Sequence, residues 1–410
     1  MASQVGGQMQ VVALNWHVYL LTHSALALGF VGLTRVVPII VFSLLGGVVA
    51  DRRDRRLVML AAQTGMTLVA LALAGLTFLG HDQLWALYGL NALQASAAAF
   101  DNPARQSLIP RLVPTAELSG ALSLNLTAFH VAMIGGPALA GLLIAGGGAS
   151  LLPSPATFTA AHAATTTSHL AWIYLLNALS FLGVIVTLIR LRTSGRALGA
   201  GPAESATAAL REGLRFVFTT PIMVWTTALD FFATFFSGAM SLLPIVADQV
   251  LHVGPAGYGW LVAGPAAGAL LGSLYTSLRP LPERQGVVLL TSVAFYGAAT
   301  VIFGLSRAYW LTLLALALTG LADLVSTVIR QTLRQLITPD ALRGRMTSVN
   351  MIFFMGGPQL GEMEAGLVAS LFGSAAVGVT VSIVSGGIAT ILCAAVIAAA
   401  APVVRRFGAA

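Results

Sequence analysis

The chain has no lysine: all 21 of its basic residues are arginine. A P-loop needs its lysine on the phosphates, so the polypeptide carries no Walker-type ATPase of its own, and neither a Schiff-base lysine nor an SxxK nucleophile is available. A single cysteine, Cys393, excludes an intrachain disulfide and a cysteine cluster for a metal. HExxH and GxSxG are missing, and no short cleavable signal with a basic leader precedes the first apolar run. Charge itself is scarce, at 9% of residues against 57% hydrophobic. A soluble globule of that balance would lack the polar surface to cover itself. The expectation is therefore a non-enzyme without cofactor or metal, whose main solvent is not water.

What is present agrees. The mean hydropathy is +0.88, and the apolar residues come in runs of about 20, the length a helix needs to cross a bilayer. Backbone groups in lipid must bond within their own segment, and the weak alternation argues against a barrel, so the runs read as helices. Twelve spans are expected, near 4–22, 25–50, 57–79, 84–103, 119–146, 170–191, 222–249, 255–278, 285–305, 309–330, 347–372 and 376–401. An even count puts both termini on one side. The loops and tail on that side hold 19 of the 21 arginines, so by the positive-inside rule that face is cytoplasmic. The net charge of +7 is then a topology signal with some attraction to anionic lipid, and it requires no nucleic-acid partner. The longest outer loop, 147–169, carries His162 and His169 and reads as a solvated connector.

The chain divides in two. Residues 193–203 are Gly-rich and 204–219 form an amphipathic segment, which places a cytoplasmic linker at 193–221 between six-helix bundles at 1–192 and 222–410. An internal repeat supports this division: Arg105-Gln106-Ser107-Leu108 with Leu112, Pro114, Ala116, Ser123 and Asn125 recurs 225 residues later as Arg330-Gln331-Thr332-Leu333 with Ile337, Pro339, Ala341, Ser348 and Asn350. Gly135-Gly136-Pro137 is echoed by Gly356-Gly357-Pro358. An even number of spans separates the copies, so both run the same way through the membrane, as in transporters with parallel repeats.

Between the second and third spans stands Gly46-Gly47-Val48-Val49-Ala50-Asp51-Arg52-Arg53-Asp54-Arg55-Arg56. Here the chain resembles the major facilitator superfamily, whose signature at this place is a glycine, an Asp-Arg pair and a basic pair. Phe100-Asp101-Asn102-Pro103-Ala104-Arg105-Gln106 and Pro110-Arg111-Leu112-Val113-Pro114 draw it nearest to the subgroup of enterobactin, macrolide and multidrug exporters. The resemblance implies the twelve-helix, two-bundle fold and a cytoplasmic latch in which Gly47 permits close packing and Asp51, Arg52, Arg55 and Arg56 meet neighbouring helix ends. Asp101 is the partner it implies, and Asp323 with Arg279 reads as a second latch. Gly136-Pro137-Ala138-Leu139-Ala140-Gly141 looks like a partial antiporter signature, with Ala140 where a second glycine would stand. Family helices usually begin upstream of what matches Met1, so either a misassigned start or a shortened first helix is expected.

Ionisable groups inside hydrocarbon cost about 2.5–3.5 kcal/mol each and should face a cavity or a partner. Arg35, Asp230, Asp323, Glu362 and Glu364 are the cases here. At about 1.5 Å per residue Arg35 and Glu362 both fall near mid-depth, and the family fold implies that their helices face each other. An Arg35 pair with Glu362 or Glu364 is expected, with the second glutamate, or Asp230, as the proton carrier. Candidate cavity groups are Asn15, His17, Asn125, His130 and Asn177, each equally readable as an interhelical hydrogen bond. Together these point to a monomeric, proton-coupled exporter of small amphiphilic compounds in the inner membrane; an uptake or lipid-moving carrier on the same fold, or a non-transporting receptor, are the alternatives.

Overall fold

The computed structural model describes residues 1–114, 117–146, 160–191, 206–278, 283–339 and 342–408. The Gly-rich stretch 193–203, Arg279 and most of the 147–169 loop lie outside the described residues, as do the surroundings of Gly47 and the side chains of Asp51, Arg52 and His162. Among the described residues the regular structure is entirely helical. The helices are α1 (Ala2–Thr22), α2 (Ala25–Arg52), α3 (Arg55–Phe78), α4 (Leu84–Leu112), α5 (Leu118–Ile144), α6 (Ala160–Arg190), α7 (Ala206–Thr219), α8 (Pro221–Phe236), α9 (Leu243–Ile245), α10 (Gly254–Leu278), α11 (Gln285–Leu305), α12 (Tyr309–Ile337), α13 (Arg343–Ser370), α14 (Ala375–Ala400) and α15 (Pro402–Arg405). Nine membrane-length segments among the described residues are apolar enough to span a bilayer: α2, α3, α5, α6, the run from α8 to Val250, α10, α11, α12 and α14. Three further long helices, α1, α4 and α13, carry more polar residues, including Gln8, Gln10, Asp101, Arg105, Glu362 and Glu364.

The chain forms two compact units. One holds 1–23, 34–206 and 253–260; the other holds 24–33, 207–252 and 261–410. In the first, α1 packs on α5 and α6, and α3 on α4 and α6. In the second, α8 packs on α13 and α14, and α11 on α12 and α14. These are the same neighbours shifted by one repeat, so the duplication in the sequence is also a duplication of packing. Large apolar side chains such as Leu68, Trp172, Leu179, Leu271 and Leu392 stand more than half exposed, as expected where the solvent is lipid.

Unit membership departs from the 1–192 and 222–410 division at two places, the first turns of α2 and of α10. Glycine accounts for both. A Cβ on Gly29 would lie 2.9 Å from the Glu362 carbonyl oxygen and 3.2 Å from the Gly366 Cα, so α2 and α13 meet backbone to backbone. In the first unit a Cβ on Gly141 would lie 2.6 Å from the Pro255 carbonyl oxygen and 2.8 Å from the Gly259 Cα. Side chains this small let helices approach closely enough for dispersion to hold them where lipid offers no hydrophobic drive.

The span expected over 222–249 is not one helix. α8 stops at Phe236, a 3-10 turn covers Ala239–Leu242, and a π turn covers Val246–Val250. Pro244 has no N–H to donate and its ring crowds the carbonyl of the preceding turn, while Gly238 permits the break. The break packs on α13: a Cβ on Gly238 would sit 2.5 Å from the Gly361 carbonyl carbon and 2.8 Å from the Glu362 nitrogen. The span expected to end at Pro103 instead continues as α4 to Leu112, through both Pro103 and Pro110.

Candidate functional site

Three clusters of polar residues interrupt the apolar interior. The first is in unit two. Asp230, on α8, is 3% exposed and lies between two arginines of α12: Arg330 Nη2 is 2.8 Å from Oδ1 and Arg334 Nη2 is 3.7 Å from Oδ2. Arg330 is itself 2% exposed, donates to Thr327 Oγ1 at 2.8 Å and has the Asp323 carboxylate 3.7 Å away. Spacing explains the arrangement, because Arg330 and Arg334 are one turn apart and Asp323 and Thr327 precede Arg330 along the same face. The signal for Arg330 was in the sequence, since it opens the second copy of the repeat.

On the adjoining face of α12, beginning at Thr327, Gln331 and Gln335 follow at one-turn spacing. With Val328, Thr332 and Leu336 they line a recess of about 380 Å³. One helix thus carries a locked ionic edge and an open polar one. Gln331 and Thr332 stand in the second copy of the repeat, which does not by itself mark them as lining a recess; glutamines at one-turn spacing in a membrane helix were the available signal.

The second cluster surrounds Glu362. A Cβ on Gly32 would lie 2.6 Å from the Gln359 carbonyl oxygen and 2.7 Å from the Glu362 Oε2, so the carboxylate rests in the notch that this glycine leaves. With Gly361 and Gly238 beside its backbone, Glu362 sits where α2, α13 and the break after α8 converge. Glu362 and Glu364 are both half-buried, and Gln359 Oε1 is buried without a hydrogen bond. Arg35, also half-buried, belongs to unit one and both glutamates to unit two.

The third cluster is in unit one. His17 is 1% exposed; its Nδ1 is 3.2 Å from the Tyr174 hydroxyl and its Nε2 is 3.2 Å from Asp82 Oδ2. Asn177 is fully buried and its Nδ2 donates to Gln10 Oε1 at 2.6 Å. Both residues therefore hydrogen-bond between helices inside unit one. Asp82 was missed because it sits in the short α3–α4 connection and looked solvated. Asn15 is 9% exposed, its side-chain carbonyl unbonded; Asn125 and His130 on α5 are half-buried.

The α2–α3 segment makes specific contacts. Arg56 donates from Nε to the Leu188 carbonyl at 2.6 Å and from Nη2 to the Ile189 carbonyl at 2.8 Å. Those carbonyls lie in the last turn of α6, where a cation is favoured by the helix dipole, so Arg56 caps that helix. Arg55 Nη1 donates to the Ser107 carbonyl on α4 at 3.1 Å, and Asp54 accepts from the Arg56 backbone N–H at 2.9 Å as the N-cap of α3. Asp101, 3% exposed, pairs with Arg105 one turn on and accepts from Gln63 Nε2 at 2.9 Å. Asp323, expected beside Arg279, approaches Arg330. In the α5 Gly-Pro element, a Cβ on Gly136 would meet Gln8 at 2.6 Å, the Pro137 carbonyl faces Gly259, and Gly141 faces Pro255.

The chain is 28% identical to the enterobactin exporter EntS of Shigella boydii over 342 residues, 82% of this chain and 76% of that one, and equally similar to EntS of Escherichia coli O157:H7. Among solved structures it superposes on a POT family transporter in complex with 5-aminolevulinic acid at a TM-score of 0.72, with 12% identity and 98% and 95% of the two chains covered. The inward-open xylose transporter XylE of Escherichia coli gives 0.68, with 13% identity and 97% and 94% covered. The family described as transmembrane secretion effector matches residues 1–407. The chain is thus a non-enzymatic, multi-pass membrane transporter of small molecules, and it belongs to the transmembrane secretion effector family of the major facilitator superfamily.

Proposed function

We propose that this transporter is a proton-coupled exporter of small amphiphilic compounds, working as a monomer in the inner membrane with both termini in the cytoplasm. The observation that carries the reading is the seat of Glu362: a carboxylate in a glycine notch where α2, α13 and the helix break after α8 converge. A charge gained or lost there acts on three elements at once, which is what coupling needs. Glu364, two residues on, faces another side of α13 and is the second proton carrier, and Arg35 is the counter-charge that one of the two meets during the cycle. Asp230, already held between Arg330 and Arg334, serves as a fixed counter-ion. Thr327, Gln331 and Gln335 offer substrate a polar wall, with Asn125 and His130 as contacts from α5. Asp51, Arg52, Arg55, Arg56 and Asp101 latch the cytoplasmic side in one state, Asp323 and Arg279 contribute to its counterpart, and the two bundles rock in alternation. Export, rather than uptake, is favoured by relatives named as exporters.

The test is flux in proteoliposomes loaded with a pH-sensitive dye, using enterobactin and a lipophilic cationic dye as probes. Substrate-dependent proton movement is expected for the wild type, lost in Glu362→Gln or Glu364→Gln while probe binding persists. Probe movement that leaves internal pH constant, or that both amides leave intact, would overturn the coupling.

A further inference from the structure

We propose that one end of the second unit, built by α7, α15 and the start of α11, is a binding surface for anionic phospholipid headgroups. Three segments distant in sequence are fastened together there. Val217 of α7 is 1% exposed and, with Leu214 and Phe216, joins the apolar cluster that holds Val404 of α15 and Phe407. The Gly286 N–H at the start of α11 donates to the Phe407 carbonyl at 3.0 Å, which ties the C-terminal segment down. On these fastened segments Arg211, Arg215, Arg284, Arg405 and Arg406 are all exposed, and among the described residues of the segments Glu212 and Glu283 oppose them.

Loop arginines that served topology alone would need no such anchoring. Here the cations stand on a fixed frame beside exposed apolar groups, Phe218 at 66% and Val403 at 43%. That mixture suits the boundary between headgroups and acyl chains, where guanidinium meets phosphate while phenyl and isopropyl groups enter the hydrocarbon. Among the described residues Arg405 makes a single long 3.4 Å contact, to the Ala398 carbonyl, so its other donors can meet a phosphate. Each arginine near an anionic surface contributes about fivefold to affinity. The surface depends on neither proton coupling nor the direction of transport.

The test follows thermal unfolding of the full-length protein in neutral detergent while dioleoylphosphatidylglycerol, dioleoylphosphatidylcholine or inorganic phosphate is titrated in. Phosphatidylglycerol is expected to raise the melting temperature of the wild type, and about 0.5 M salt to weaken the effect. Arg211→Gln with Arg215→Gln, or Arg405→Gln with Arg406→Gln, should raise the half-saturating lipid concentration about 25-fold, while Arg405→Lys with Arg406→Lys retains most of the effect and Arg307→Gln all of it. Equal stabilisation by phosphatidylcholine or by free phosphate, or half-saturation within twofold of wild type in both glutamine pairs, would overturn the proposal. A glutamine pair that does not fold leaves the salt titration and the lysine variant to decide it.

Discussion

Replacing Asp230 by asparagine leaves two guanidiniums in the interior of unit two without the carboxylate that both approach. Removing one partner of a buried pair costs about 3–5 kcal/mol, because the remaining charge stays desolvated. For a unit of roughly 200 residues each kcal/mol lowers the melting temperature by about 2–4 °C, so a drop of roughly 6–20 °C is expected. Arg330→Met should cost less, since Asp230 keeps Arg334 3.7 Å away. The double variant should be less damaged than Asp230→Asn alone, because the most deeply buried cation goes with its carboxylate and Arg334 sits nearer the rim, with 10% of its side chain exposed against 2% for Arg330. The assay is built in. Cys393, the chain's one thiol, is half-buried against the same apolar cluster as α8, α11 and α12, so its reaction with a fluorogenic maleimide reports the opening of this unit. An Asp230→Asn melting point within 2 °C of wild type would refute the argument. So would a double variant less stable than Asp230→Asn.

Gly32→Ala places a methyl 2.6 Å from the Gln359 carbonyl, which cannot rotate away, so overpacking of about 1–3 kcal/mol and loss of proton-linked flux are expected. Gly7→Ala, with nothing within 4 Å, is the control and should be neutral or stabilising by up to about 1 kcal/mol in the same melting assay. Arg56→Gln uncaps α6 and is expected to cost about 1–2 kcal/mol, read as faster hydrogen exchange confined to the last turns of that helix.

The helical membrane class was legible because lipid imposes it: long apolar runs follow from helices that must satisfy their own backbones, and the 225-residue repeat pointed separately to two similar halves. Breaks and extensions were not. The α8 break depends on Gly238 fitting against Gly361, a tertiary contact that a hydropathy window averages away. α4 outlasts its prolines because each removes only the one hydrogen bond to the carbonyl four residues back, and the ladder resumes beyond it as far as Leu112. Site residues divide similarly. Asp230 and Glu362 announce themselves as charges among apolar neighbours, whereas Asp82 sits in a connection where a carboxylate is ordinary and only the fold brings His17 to it. His17 and Asn177 show the converse, since a polar residue in a span is satisfied equally by another helix and by a cavity.

The repeat also shows how alike sequences can carry unlike electrostatics. Arg105 and Arg330 occupy equivalent positions on α4 and α12. One turn before Arg105 stands Asp101, so that cation finds its counter-ion on its own helix and remains 26% exposed. One turn before Arg330 stands Ser326, which donates to the Asp323 carbonyl and offers no charge. Arg330 has the Asp323 carboxylate of its own helix at 3.7 Å, and its shorter contact, 2.8 Å, reaches across to Asp230 on α8, with both groups buried. A pair within one helix survives any movement of that helix, but a buried pair between helices resists their separation because neither charge has water to return to. In unit one, α1 is tied instead through Asn177 to Gln10 and through His17 to Tyr174 and Asp82, that is, to α6 and the α3–α4 connection. Duplicated folds thus need not be held alike: in unit two α8 and α12 are bound as a pair by buried charge, whereas the corresponding first helix of unit one is bound through amide, phenol and imidazole groups.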